Sequence, residues 1–144
     1  MEAMNEISFT IDMLPPTATA QQKGAFICGG KIRFFKKKKV KDAEDTLTAL
    51  FYKHKPCAPM QGGLKLSVKW FYPYRKSEKK SITKTGSIVP HITRPDLDNL
   101  EKSLIDVLTR LQFWQDDSQV CVKETSKFWA PTGKISIKIE RVDV

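Results

Sequence analysis

Apolar and polar positions alternate at Ile7, Phe9, Ile11 and Met13, the period-two signature of a half-buried strand that ends at Pro15-Pro16. A small, polar stretch from Thr17 to Gly24 leads to a second apolar run, Phe26 to Phe35, interrupted by Gly29-Gly30, a pair suited to a hairpin turn. From Val40 to about Lys53 the period changes. Ala43, Leu47, Leu50 and Phe51 recur at three- and four-residue steps, predicting a helix that stops before Pro56. Alternation returns at Leu64, Leu66, Val68 and Trp70, and Phe71-Tyr72-Pro73 closes that strand. Residues 75–90 show no sustained period, carry many cations and several Ser/Thr residues, and read as a long, flexible basic loop. From Asp96 onward Leu97, Leu100, Leu104, Val107, Leu108 and Leu111 mark one face of a second helix, with Pro95 in its first turn and Arg94 extended before it. Val120 and Val122 open a strand toward Phe128-Trp129, Ala130-Pro131-Thr132-Gly133 is a turn, and Ile135, Ile137, Ile139 and Val142 form a last strand. The tail therefore reads as a hairpin. The element order predicts an α+β fold: a mixed or antiparallel sheet of about five strands with two helices on one face.

Composition narrows the class without changing that picture. The 144 residues suffice for a single domain, 1–144, with one core. No apolar run approaches the ~20 residues needed to span a bilayer, and the N-terminus shows no signal-peptide pattern, so the expected compartment is the cytoplasm. Cys28, Cys57 and Cys121 are odd in number and scattered, which argues against a disulfide framework or a structural zinc site. His54 and His91 lack partners at metal-ligand spacing and read as surface or packing residues. A net charge of +9 does change the picture. Lys36 to Lys39 form an unbroken run, and Arg75, Lys76, Lys79, Lys80 and Lys84 crowd one segment. Each cluster alone could be a solvated face; together they are the footprint of a polyanionic partner.

Against this basic background stand two tight carboxylate pairs, Asp96/Asp98 and Asp116/Asp117, bracketing the second helix. Asp96 and Asp98 at a helix start could be ordinary capping acids, which the helix dipole stabilises. Asp116-Asp117 lies beyond the far end, after Gln112-Phe113-Trp114-Gln115. A helix of about 15 residues is roughly 22 Å long, so the pairs meet only if this linker folds back along the helix while Phe113 and Trp114 bury in the core. Carboxylates so gathered would repel, and a cation would compensate. Oxygen-only ligands select Mg2+ or Mn2+ over zinc, and such an ion activates water against a phosphodiester. Lys102, four residues from both Asp98 and Asp106, is either part of an exposed helical ion-pair ladder or a cation facing the scissile phosphate. A binding module with structural acids is the rival reading. A phosphatase with an Asp-x-Asp nucleophile would need an apolar strand leading into the pair, which His91-Ile92-Thr93-Arg94-Pro95 does not provide.

The segment Arg94-Pro95-Asp96-Leu97-Asp98-Asn99-Leu100-Glu101-Lys102, then Asp106, then Phe113-Trp114-Gln115-Asp116-Asp117-Ser118-Gln119-Val120, closely resembles the signature of the RusA family of Holliday junction resolvases. The resemblance implies a RusA-like domain with Asp96, Asp98 and Asp117 as metal-linked catalytic carboxylates, Lys102 as supporting cation and Asp116 as a weaker ligand. It also implies a bacterial or phage-encoded homodimer that binds four-way DNA junctions and makes paired, symmetric nicks with Mg2+, for which Mn2+ substitutes. A two-fold dimer matches the two-fold relation of the strands cut. The basic residues are dispersed through Arg75 to Lys84, with only Arg94 adjacent to the motif, so the family's DNA contacts do not transfer to named positions here.

Overall fold

The computed structural model describes residues 4–17, 23–36 and 38–142. In chain order these form β1 (Glu6–Ile11), β2 (Lys23–Cys28), β3 (Lys31–Lys36), α1 (Lys38–Phe51), β4 (Leu64–Pro73), α2 (Lys80–Thr85), β5 (Val89–Pro90), α3 (Leu97–Arg110), β6 (Val120–Ala130) and β7 (Lys134–Arg141). Single 3-10 turns at Tyr52–His54 and Asp117–Gln119 extend α1 and introduce β6. Of the Lys36 to Lys39 run, Lys37 lies outside the described residues.

The main sheet is mixed and five-stranded, in the order β1-β7-β4-β6-β5. Its inward face is built from cross-strand rows: Ile7, Ile139 and Leu66; then Phe9, Ile137 and Val68; then Ile11, Ile135 and Trp70. Each of these side chains is buried, and α1 and α3 cover them with Leu47, Phe51, Leu100, Leu104, Val107 and Leu108. Two helices on one face of an α+β sheet is the arrangement the hydrophobic periods predict. Arg110 Nη2 stands 3.4 Å from the buried Glu44 carboxylate, joining the two helices. Glu44 occupies a position in the α1 stripe where an apolar residue would be expected.

Several expectations are corrected. The tail is not a hairpin, because β4 lies between β6 and β7, parallel to the former and antiparallel to the latter. Leu64, Leu66, Val68, Trp70 and Tyr72 all face inward from β4, and a strand so uniformly apolar is best covered at the centre. Residues 131–133 therefore span two strand spacings, about 10 Å, rather than one. A Cβ on Gly133 would meet the Met13 carbonyl oxygen at 2.9 Å, so only glycine fits this crossing. The Phe26 to Phe35 run does form a hairpin about Gly29-Gly30, both at positive φ (58° and 75°), but it makes a separate two-stranded sheet. Within residues 75–90 the chain is not simply irregular: it contains α2 and the two-residue β5. Pro95 precedes the helix, whose N-cap is Asp96, rather than lying in its first turn.

A parallel pair needs a long crossover, and the β4 to β6 connection supplies it. That connection contains α2, β5 and α3, and so lays the acidic helix across the sheet beside β6.

Candidate active site

Asp96 adopts an extended backbone (φ −72°, ψ 147°) and its side chain makes no cap hydrogen bond, so its carboxylate is not doing the work of an N-cap. Asp98 follows in the first turn of α3.

The return from the far end of α3 is tight. Gln112 takes a left-handed conformation (φ 63°), and the Phe113 amide donates to the Leu108 carbonyl at 3.0 Å. Phe113 and Trp114 then enter the core fully buried. The Trp114 indole donates to Thr109 Oγ1 at 2.7 Å, and the Met60 amide donates to the Phe113 carbonyl at 2.8 Å. The chain thus runs back along α3, as the linker's apolar pair requires. Successive contacts record the direction: Asp117 lies within electrostatic reach of Asp106, Lys123 Nζ is 3.1 Å from Glu101 Oε2, and Lys127 lies beside Asp96.

Between these two runs lies a cleft of about 240 Å³ lined by Asp98, Glu101, Lys102, Ile105, Asp106, Asp117 and Lys123. Asp98 and Asp117 therefore line one space, together with Lys102 of α3. Asp96 is not part of that lining. Asp116 stands beside Asp117 but outside that lining: it caps the Asp117–Gln119 turn, accepting from the Ser118 amide at 2.9 Å, and lines a separate cavity of about 510 Å³ with Gln61, Gly62, Gln115 and Cys121. Gln119 completes this capping box. Its Oε1 accepts from the Gln115 and Asp116 amides at 2.9 and 3.1 Å, and its Nε2 donates to the Met60 and Gly62 carbonyls at 3.0 Å each. The Asp-Asp-Ser-Gln segment is thus a rigid turn that presents Asp117 to the cleft.

The two adjacent acids are pushed apart electrostatically. Hydrogen bonds from the Ser118 amide and hydroxyl hold the Asp116 carboxyl below the usual carboxylate range. Asp117 is raised, first by its hydrogen bond with Asp116, then by slight burial and by the negative charge of Asp116 and Asp106. A cation in the cleft would relieve that repulsion. The donor set is oxygen only, and the buried Glu101 keeps one carboxylate oxygen, Oε1, without a hydrogen-bond partner. Hard oxygen donors of this kind suit a hard divalent ion. As the side chains stand, no three acid, His or Cys residues among the described residues are gathered closely enough to enclose one.

Sequence reasoning missed the sheet side of the cleft. Strict alternation from Val120 and Val122 would put even-numbered residues of β6 inward. A register shift opposite Leu64/Lys65 instead pairs Val122 with Lys65 on the outer face, and Lys123, Thr125, Lys127 and Trp129 with inward-facing β4 residues. One irregularity thus aims Lys123 and Lys127 toward α3. The only signal for this in the sequence is that Lys123 and Lys127 share a parity with Thr125 and Trp129, and it is legible only once the shift is known.

The basic segment is tied to the same strand. Arg75 lies over the Trp129 ring at 4.8 Å, and Trp129 stacks on His91 at 3.9 Å with planes 9° apart. His91 is buried and packs edge-on against Tyr72, a packing role as its isolation in sequence suggests. His54 likewise stacks on Phe9. Lys76, Lys79, Lys80 and Lys84 are exposed beyond this anchor.

Residues 14–140 match the family described as Endodeoxyribonuclease RusA. Two curated proteins are similar along nearly their whole lengths. A crossover junction endodeoxyribonuclease rusA of Lactococcus phage r1t is 35% identical over 139 residues, covering 95% of this chain and 98% of the relative. The uncharacterized protein YqaN of Bacillus subtilis strain 168 is 30% identical over 144 residues, covering 96% and 99%. With the Asp-x-Asp helix, the reversed Asp-Asp turn and the lysine-flanked cleft between them, these matches place the chain in the RusA family of crossover junction endodeoxyribonucleases.

Proposed function

We propose that this endonuclease resolves four-way DNA junctions as a homodimer, each protomer hydrolysing one phosphodiester in the cleft between α3 and β6. The observation that carries the site assignment is that Asp98 and Asp117, from opposite ends of α3 in sequence, line one cleft together with Lys102. Asp98 and Asp117 would hold a divalent ion, Mg2+ with Mn2+ as substitute, and Asp96 at the helix entrance would support it. Asp116 serves the turn rather than the ion, because its carboxylate is already engaged by Ser118. The bound ion supplies Lewis-acid polarisation of the phosphate and a more acidic attacking water.

The chain's own residues supply the rest. Lys102 and Lys123 bring positive charge into the cleft, where it would offset the negative charge that develops on the phosphate oxygens. Asp117, whose carboxyl is pushed up by its acidic neighbours, would be returned to its ionised, ion-binding form by a cation in the cleft. The exposed Lys76, Lys79, Lys80 and Lys84, projecting from the end of the sheet that carries Arg75 and Trp129, would follow the DNA backbone toward the cleft. A two-fold dimer then offers two equivalent sites to two symmetry-related strands.

The test is incubation with a synthetic four-way junction and with linear duplex, with and without Mg2+, followed by mapping of the nicks. The expected result is paired, symmetric, metal-dependent nicks near the branch point of the junction, with the duplex left largely intact. Equal cutting of duplex and junction would contradict junction selectivity. Binding without any metal-dependent cleavage would leave a DNA-binding module.

A further inference from the structure

The lysine that touches the acidic segment most extensively is neither in the motif nor in the cleft lining. Lys127 lies on β6 opposite Trp70, on the side of the sheet facing α3. Its ammonium donates to the Thr93 carbonyl and, at 2.6 Å, to the Pro95 carbonyl, the two residues that flank Arg94 just before α3. Its own backbone carbonyl accepts from the His91 amide at 3.2 Å. One residue thereby grips residues 91–95 at three points. Asp96 follows directly, close enough that its negative charge opposes the effect of burial on the lysine. The first backbone hydrogen bond of α3, from Leu100 to the Asp96 carbonyl at 3.1 Å, continues from this anchor.

A lysine on the α3-facing side of the sheet with two of its three donors committed to main-chain carbonyls is poorly placed to grip a phosphate. Its geometry serves another purpose: it fixes where the helix starts and which way the first-turn acids face. We propose that Lys127 is a positioning residue, setting Asp96 and Asp98 against Asp117 by clamping the 93–95 carbonyls rather than by touching DNA. This rests on the reading that Asp96 and Asp98 serve the divalent ion. Losing a group that orients metal-binding carboxylates costs on the order of 10- to 100-fold in metal affinity.

The experiment compares wild type, Lys127→Met, Lys127→Arg and Asp96→Asn by three readouts: Mn2+ binding to the DNA-free protein followed by electron paramagnetic resonance, metal-free binding to a four-way junction across a salt series, and cleavage. Lys127→Met should weaken Mn2+ binding by about tenfold or more and slow cleavage in proportion. Its junction affinity and salt slope should stay at the wild-type values. Lys127→Arg, which keeps donors for both carbonyls, should recover much of the Mn2+ affinity, and it keeps the idea testable if the methionine variant folds poorly. Unchanged Mn2+ affinity in Lys127→Met would overturn the proposal. So would weaker junction binding with a salt slope reduced by about one, the mark of a lost phosphate contact. If Asp96→Asn binds Mn2+ as well as wild type while Lys127→Met does not, the role given to Asp96 fails and the clamp acts through Asp98 alone.

Discussion

Asp117 and Asp116 are neighbours in sequence with opposite assignments. Asp116 spends its carboxylate on the Ser118 amide, whereas Asp117 faces the cleft with its proton affinity raised by Asp116 and Asp106. Replacing Asp117 by Asn should reduce cleavage on the order of 10²-fold or more, the scale of losing a group that binds the metal, while junction binding holds or strengthens because phosphate repulsion falls. Asp116→Ala should lower the melting temperature, since the turn loses the oxygen that caps the Ser118 amide, and should reduce cleavage far less. Equal loss in both variants, measured on the same junction, would show that the pair acts as one unit. A second residue-scale expectation concerns pH. Burial, with help from Lys127 and Arg75, lowers the His91 pKa below its ordinary value. The unfolded chain then binds more protons than the folded one between that lowered value and about 6.5, so stability falls as pH drops through this window. Thermal melts from pH 7 to 5 should show the fall, and His91→Phe should reduce it; the same slope in the variant would assign the effect elsewhere, His54 being the other imidazole that burial lowers.

The helix and strand periods were legible because burial enforces them. Leu100, Leu104, Val107 and Leu108 of α3, and Leu64, Leu66, Val68 and Trp70 of β4, face the core in the phase that their sequence spacing predicts. Pairing partners were not legible, because proximity in sequence favours β6 with β7 whereas coverage of an apolar face favours β4 between them. The acids and Lys102 stood out as a motif, yet Lys123 and Lys127 were hidden by the register shift at the start of β6. A shift in register is a local event with no consistent residue signature, and it inverts every inward and outward assignment after it. The reversal after α3 offers an element-scale test. Gln112 holds φ 63°, a conformation that costs a side-chain-bearing residue about 1 kcal/mol relative to glycine. Gln112→Gly should raise the melting temperature by a few degrees, because this turn persists without strain. A lower melting temperature would mean that the Gln112 side-chain bond to the Thr109 carbonyl outweighs the backbone relief.

At the scale of the whole molecule, a +9 chain gathers Asp98, Glu101, Asp106 and Asp117 in one cleft beside Lys102 and Lys123. Binding to a four-way junction in the absence of metal should weaken steeply as salt rises, since lysine contacts to phosphate release counterions. A flat dependence of log affinity on log salt would remove the basic segment as the contact surface. In the proposed reading a divalent ion would link two parts of the chain that are otherwise joined through the core: α3 carries Asp98, and the turn before β6 carries Asp117. Manganese binding by Asp98→Asn, Asp117→Asn and the double variant tests that link most directly. The expected result is that each single change removes most of the affinity and the double change removes little more, because both acids hold one ion. Losses that simply add, or a single change that leaves binding intact, would show that Asp98 and Asp117 do not share it.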